Sequence, residues 1–218
     1  MDMFVTTEII KKVHAFMESG RAPAAKYASV SKIIAGTSDQ SGLLLWRKRV
    51  GEAEADRISK ESAALGTSLH TILENHFSDG FSEEAWESEI GFYLYKRLIE
   101  KLKLLDPIAL ELKVWSDLLR VNGRLDCLGF YDGVLSIVDF KNSLKPKEDQ
   151  YLEGYYIQAT LYAMMLYDLL GIEVKQIVLL VALRNSPTPQ VFVRRTNQYA
   201  RLAYARVAMY YKQLIPAA

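Results

Sequence analysis

The chain has 218 residues, half of them hydrophobic and 24% charged, an ordinary balance for a globular protein. Its longest apolar runs, such as Ile177–Leu183, are too short to span a membrane, and the lone cysteine, Cys127, excludes a disulfide framework and any all-cysteine Fe–S or zinc site within one chain. Lys+Arg number 27 against 26 Asp+Glu, a net charge of +1 that taken alone argues against a strongly basic nucleic-acid binder.

The first hundred residues read as helical. Thr6 or Thr7 can cap a helix to about Ser19, with Gly20 as its stop. Ser29 caps a short helix ending at Gly36, Ser41 to about Lys60 reads as a third, Glu61 to Phe77 as a fourth and Glu83–Leu104 as a fifth. The period then changes. Ile108, Leu110, Leu112 and Val114 alternate with Ala109, Glu111, Lys113 and Trp115, a strand signature. Arg120–Tyr131 and Val134–Lys141 follow as strands joined by Asp132-Gly133, a strong hairpin signal. A long apolar helix from about Gln150 to Leu170 precedes a buried strand, Val174–Leu183, and an edge strand, Gln190–Arg195. Asn197 can cap a last helix to about Ile215. No linker divides the chain, so one domain over 1–218 is expected: a mainly helical region 1–105, a sheet with its crossover helix 106–195, and a basic C-terminal helix 196–218. The N-terminus shows neither a secretory h-region nor an Arg-rich transit pattern, so the expected setting is the cytoplasm of a bacterial or phage-infected cell, or a mature organellar form.

With a two-residue turn, Asp126 faces Asp139 across the hairpin and Arg124 faces Lys141. One hairpin face then carries Val121, Leu125, Cys127, Tyr131, Val134, Val138 and Phe140. The other carries Leu128, Phe130, Leu135 and Ile137 near the turn and the four charges further along. Two opposed carboxylates repel unless neutralised. Both an Arg/Asp/Asp/Lys ion-pair network and a divalent metal site fit this pattern. His70 and Glu74 share one helix face, as do Gln158 and Tyr162. Each pair is open to a structural or a site role.

These residues resemble a known family. Asp126 in GRLDCLG, with Asp139 and Lys141 in IVDFKNS, resembles the bipartite signature of the PD-(D/E)XK nucleases. GTSLHTILE (Gly66–Glu74) resembles the His-bearing helix motif of the RecB-like branch, ELKVW (Glu111–Trp115) its first core strand, and QATLY its Q-x-x-x-Y motif. SVSKIIAG, LWRKRVGEAEA and KNSLKPK resemble the subgroup that includes the mitochondrial genome maintenance exonuclease and small phage-type exonucleases. The resemblance implies an α/β fold with the restriction-endonuclease-like α-βββ-α-β core, a central mixed sheet flanked by helices, and an N-terminal helical region. It implies Mg²⁺ or Mn²⁺ held by His70, Asp126, Asp139 and the backbone carbonyl of Phe140, with Glu111 joining a second metal or orienting water. Lys141 would orient the attacking water, and Gln158 and Tyr162 would line the site. Fe–S-bearing branch members need four cysteines, so no cluster is expected. The implied activity is exonucleolytic hydrolysis of single-stranded DNA in replication, recombination, repair or phage DNA metabolism. A duplex-end or flap nuclease and a non-catalytic nucleic-acid-binding module remain as alternatives. No membrane partner is expected.

The near-neutral total hides a division. Residues 1–60 carry +3, 61–110 carry −5, 111–193 carry −2 and 194–218 carry +5. The candidate strand-binding cations are Arg47, Lys48 and Arg49, Lys145 and Lys147 beyond the Asp139 strand, and Arg201 on the last helix. Tyrosines beside the cations of that helix suit base stacking, and suit core packing equally.

Overall fold

The computed structural model describes residues 3–24 and 26–214. Period-2 patterning and the Asp132-Gly133 turn yield a six-stranded mixed sheet. β2 (Leu105–Ser116), β3 (Val121–Tyr131) and β4 (Val134–Ser143) are successively antiparallel. The helix α6 (Glu153–Leu170) then crosses over to β5 (Gln176–Leu183), which lies parallel to β4, and β6 (Gln190–Arg195) is an antiparallel edge. The expected α-βββ-α-β order is therefore present. A two-residue strand, β1 (Ala28–Ser29), was not expected and lies parallel to β3 at Val121 and Asn122.

Helices cover both faces. Residues of α1 (Met3–Glu18), α2 (Val30–Thr37), α6 and α7 (Ala200–Gln213) close one core, including Phe16, Ile33, Leu161 and Val207. Residues of α4 (Glu52–His76) and α5 (Phe92–Leu102) close the other, including Leu69, Ile72, Leu94 and Leu98. β5 serves both: Ile177, Leu179, Val181 and Leu183 face the first layer, and Val178, Leu180 and Ala182 the second.

Several boundaries differ from expectation. Thr6 and Thr7 lie inside α1, which starts at Met3. The third and fourth helices divide at Gly51, not near residue 60, because Gly51 takes φ +87 between α3 (Ser41–Val50) and α4. The expected helix from Glu83 shrinks to a 3-10 turn (Glu83–Trp86) and the later α5. The C-terminal helix is described to Gln213; its expected end near Ile215 lies outside the described residues, as does the rest of 215–218. No helix among the described residues is long and apolar enough to cross a membrane.

The hairpin register departs from expectation in one way that matters. The expected pairing holds from Tyr131↔Val134 to Cys127↔Val138 and stops there. Asp126 and Asp139 are not a rung, nor are Arg124 and Lys141. On this edge of β3, β1 pairs at 121–122 and β4 at 127–131, so among the described residues 123–126 have no strand partner there. The facing pattern also inverts. Val121 and Leu125, expected beside Cys127, join the α6-side core, while Cys127 joins the α4-side core. On β2 the same inversion separates Leu110 from Leu112. Between them Glu111 adopts φ +50, a left-handed conformation that costs a non-glycine residue energy and recurs at functional sites.

Candidate active site

The opened end of the β3–β4 hairpin collects the charged candidates. Apolar residues of α4, among them Leu69, Ile72 and Leu73, bury that helix against the sheet and set His70 over the strand ends. His70 Nε2 lies 3.0 Å from the Phe140 carbonyl oxygen and 3.7 Å from Asp126 Oδ2. Its Nδ1 lies 3.7 Å from Glu111 Oε1, an electrostatic contact too long for a hydrogen bond. Asp126 Oδ2 accepts the Phe140 N–H at 2.9 Å, so one side chain spans the gap that the missing rung leaves. Arg124 Nε holds Glu111 Oε2 at 2.7 Å. Lys141 Nζ sits 2.5 Å from Asp139 Oδ2 and 3.8 Å from Asp126 Oδ2.

Burial sets the electrostatics. Desolvation, then the charge of Asp139, pushes the Asp126 carboxyl up to about 6, against the opposing pull of Lys141 and His70. Burial works against the Lys141 ammonium, but Asp139 and Asp126 outweigh it and its pKa rises. His70 follows the same logic: burial lowers it, Glu111 and Asp126 raise it, and the net direction is up. His70 and Arg124 hold the Glu111 carboxyl down. Asp139 is 2% exposed, and neither of its carboxylate oxygens has a hydrogen bond; its Lys141 contact is an ion pair without hydrogen-bond alignment.

That donor set fits a divalent cation. Among the described residues, His70, Glu111 and Asp126 form a group whose ligand atoms all lie within 4.8 Å of one another. Two carboxylates, an imidazole and a backbone carbonyl suit a divalent ion, the oxygens favouring a hard one and the imidazole a borderline one. Glu111 completes the group of three. Asp139 stands beside it, turned to Lys141.

The remaining candidates divide. Gln158 Nε2 donates to Tyr162 Oη at 3.1 Å, and Tyr162 packs against the backbone of Gly123. Burial raises the Tyr162 phenol to about 12, so it stays protonated. A cavity of about 590 Å³ is lined by His70, Glu74, Glu111, Arg124, Asp126 and Lys141, with Tyr155 on its wall. Arg47, Lys48, Arg49, Lys145, Lys147 and Arg201 do not line it. Arg47 is engaged by Glu52 and Asp56; Lys48 and Arg49 are exposed on α3. Lys147 is held by its backbone to the Gln190 side chain, and Arg201 is exposed on α7. Most α7 tyrosines pack: Tyr210 is buried, and Tyr211 donates to the Arg120 carbonyl. Tyr155 was missed from sequence, although Tyr155, Gln158 and Tyr162 follow i, i+3, i+7 spacing on one helix face.

A central mixed sheet between helix layers makes this an α/β protein, with carboxylates, a histidine and a lysine gathered where two of its strands part. The chain belongs to the PD-(D/E)XK nuclease superfamily, whose profile matches residues 14–215. Membership points to a metal-dependent nuclease with a nucleic-acid substrate. No match to a curated protein was found. Among solved structures, the crystal structure of SSO0001 aligns at 13% identity with a TM-score of 0.43, covering 95% of this chain and 87% of that one.

Proposed function

We propose that this protein is an exonuclease that hydrolyses single-stranded DNA from an end, using Mg²⁺ or Mn²⁺, in the manner of the RecB-like exonucleases its motifs resemble. The observation that carries this reading is the meeting of Asp126, Asp139 and Lys141 with His70 and Glu111 where β3 and β4 part. Asp126, His70, Glu111 and the Phe140 carbonyl would hold the ion, with Asp139 beside them. When bound, the ion lowers the pKa of a coordinated water and stabilises charge on the phosphate.

The chain's own residues do the rest. Lys141, kept charged by its two carboxylates, orients the attacking water and offsets negative charge developing on the phosphate. Asp126 keeps Phe140, and hence its carbonyl, in place through the backbone N–H. The Gln158–Tyr162 pair packs behind Gly123 and stiffens the unpaired edge of β3. The setting that fits is DNA metabolism in a bacterial or phage-infected cytoplasm.

Digestion of 5′- and 3′-labelled linear single strands, circular single strands and blunt duplex tests the reading, each with Mg²⁺ and with chelator. The expected result is metal-dependent loss of label from one end of the linear strand, with the circle intact. Cutting of the closed circle would replace the exonuclease by an endonuclease. Preferred digestion of the duplex would replace the strand preference.

A further inference from the structure

Beside the charged cavity lies a second opening of about 290 Å³, between α2 and the start of α6. Ile34 and Ala35 line it on one side; Tyr151, Gly154, Tyr155 and Gln158 line it on the other. Tyr155 is a wall of both openings, and the Lys141 ammonium lies 5.2 Å from its ring centroid. No residue lining the second opening is charged, whereas the first is dense in charge. A phosphate would find no cation there. A flat, neutral, aromatic group would find tyrosine rings, aliphatic surface and polar groups at the edges.

Two details single out this cleft. Tyr151 is 70% exposed at its rim, so core packing does not account for an aromatic at this position. At Gly154 an added Cβ would sit 3.7 Å from Ile34 Cγ2, an ordinary contact across the cleft, so the glycine leaves unfilled the space that a side chain would occupy. Tyr155, Gln158 and Tyr162 recur at spacings of three and four, a stripe along α6 that runs from the cleft to Gly123, and Tyr151 stands before them in a 3-10 turn (Asp149–Leu152) that lines the same cleft.

We propose that this cleft is a nucleobase subsite, in which the base of a nucleotide adjacent to the phosphate in the charged cavity stacks on Tyr155 and Tyr151. The inference rests on the reading that the charged cavity handles a single strand. It adds that the strand is gripped by its bases as well as by its phosphates. Every base has a π face, so the grip is independent of sequence. A duplex end, whose bases stay paired and stacked, cannot offer one to the cleft without opening. The cleft thus favours single strands without basic residues around it.

The test uses the full chain and an oligodeoxythymidylate in which one abasic nucleotide is stepped inward from each end. Binding is read by fluorescence anisotropy in chelator, and digestion by gel with Mg²⁺. For the wild type, loss of a base at one or two fixed positions should weaken binding about tenfold. Loss elsewhere should change little, and digestion should pause where the abasic nucleotide reaches the cleft. Tyr151→Ala, at an exposed position where folding is not at stake, should bind the intact strand that much more weakly and no longer sense the abasic position. Tyr155→Phe, which keeps the ring, should still sense the abasic position, and Tyr155→Leu should lose that sensitivity like Tyr151→Ala. A wild type that binds and digests every abasic strand alike overturns the subsite while leaving the nuclease reading intact. Failure to bind or digest any strand overturns both.

Discussion

The two ends of the β3–β4 hairpin begin from the same pattern and diverge. At the turn, Asp132 and Gly133 both take positive φ, +50 and +74, as the two-residue turn that matches strand twist requires. From there the ladder runs unbroken to Cys127↔Val138, with apolar side chains buried on both faces. At the far end one further rung would set Asp126 directly against Asp139, where like charges destabilise a pair. The strands separate instead. One carboxylate–backbone hydrogen bond and one lysine ion pair replace the ladder. The Phe140 carbonyl is left facing His70. A strand end that stays paired makes a core. One that parts exposes backbone oxygen and buried charge to a substrate.

Lys141→Ala should break the charged end hardest. Cleavage should fall by at least about 10²–10³-fold, the scale of losing one preorganised donor at developing charge. It should also strip Asp139 of its one counter-ion at contact distance, in a nearly dry position. Breaking one partner of a buried pair costs about 3 kcal/mol, or roughly 10 °C in Tm for a chain of this size. Calorimetry in chelator reads this, and an unshifted Tm would mean that the Lys141–Asp139 ion pair does not contribute to stability. Ile137→Ala strikes the paired end. Ile137 is fully buried, so about 2–5 kcal/mol should be lost. The specific activity of the folded protein, measured well below Tm, should stay near wild type. A matching drop in kcat would show that the two ends are not separable.

Much of this contrast was readable from residues alone. Alternation gave the strands, Asp132-Gly133 gave the register, and a one-rung extrapolation brought Asp126 toward Asp139 and Lys141. The separation was not readable, because period-2 reasoning carries a register forward unchanged. Nothing in the residue type Glu announces φ +50 at Glu111, where the strand turns over and sends Leu110 and Leu112 to opposite layers. The promotion of Glu111 into the group with His70 and Asp126 follows from that same local turn-over. Tyr155 was hidden for a different reason: on a helix apolar nearly all round, a tyrosine reads as core until the cavity beside it is seen.

Gly123→Ala should act between the two ends and more gently. A Cβ there would fall 2.7 Å from Tyr162 Cε1 and 3.3 Å from Val30 Cγ2, so the tyrosine must move. Overpacking of this kind costs about 1–3 kcal/mol. Tyr162 lies on the stripe behind Asp126, so kcat should fall by roughly tenfold, a scale at which small misplacement of a catalytic group already matters. Stopped-time digestion at saturating strand separates this from weaker binding. Unchanged kcat with a lowered Tm would reduce the Gln158–Tyr162 pair to scaffolding.

The subtlest effect is on stability against pH, measured in chelator. Asp126 has its carboxyl raised to about 6 from an ordinary 3.8, by desolvation first and by Asp139 second. The folded protein therefore holds this proton more tightly than the unfolded chain. Its contribution is fully present below the ordinary value and is lost as pH rises through about 6. Asp126→Asn removes the titration while keeping an oxygen that can accept the Phe140 N–H. The difference in Tm between Asp126→Asn and wild type should thus grow in favour of the variant from pH 5 to pH 7.5, even as activity disappears. The paired end of the hairpin, whose rungs carry no carboxylate in contact, has no such dependence. Parallel curves for the two proteins would place Asp126 in ordinary solvent and remove the reason to regard the parted strands as a site that favours a cation.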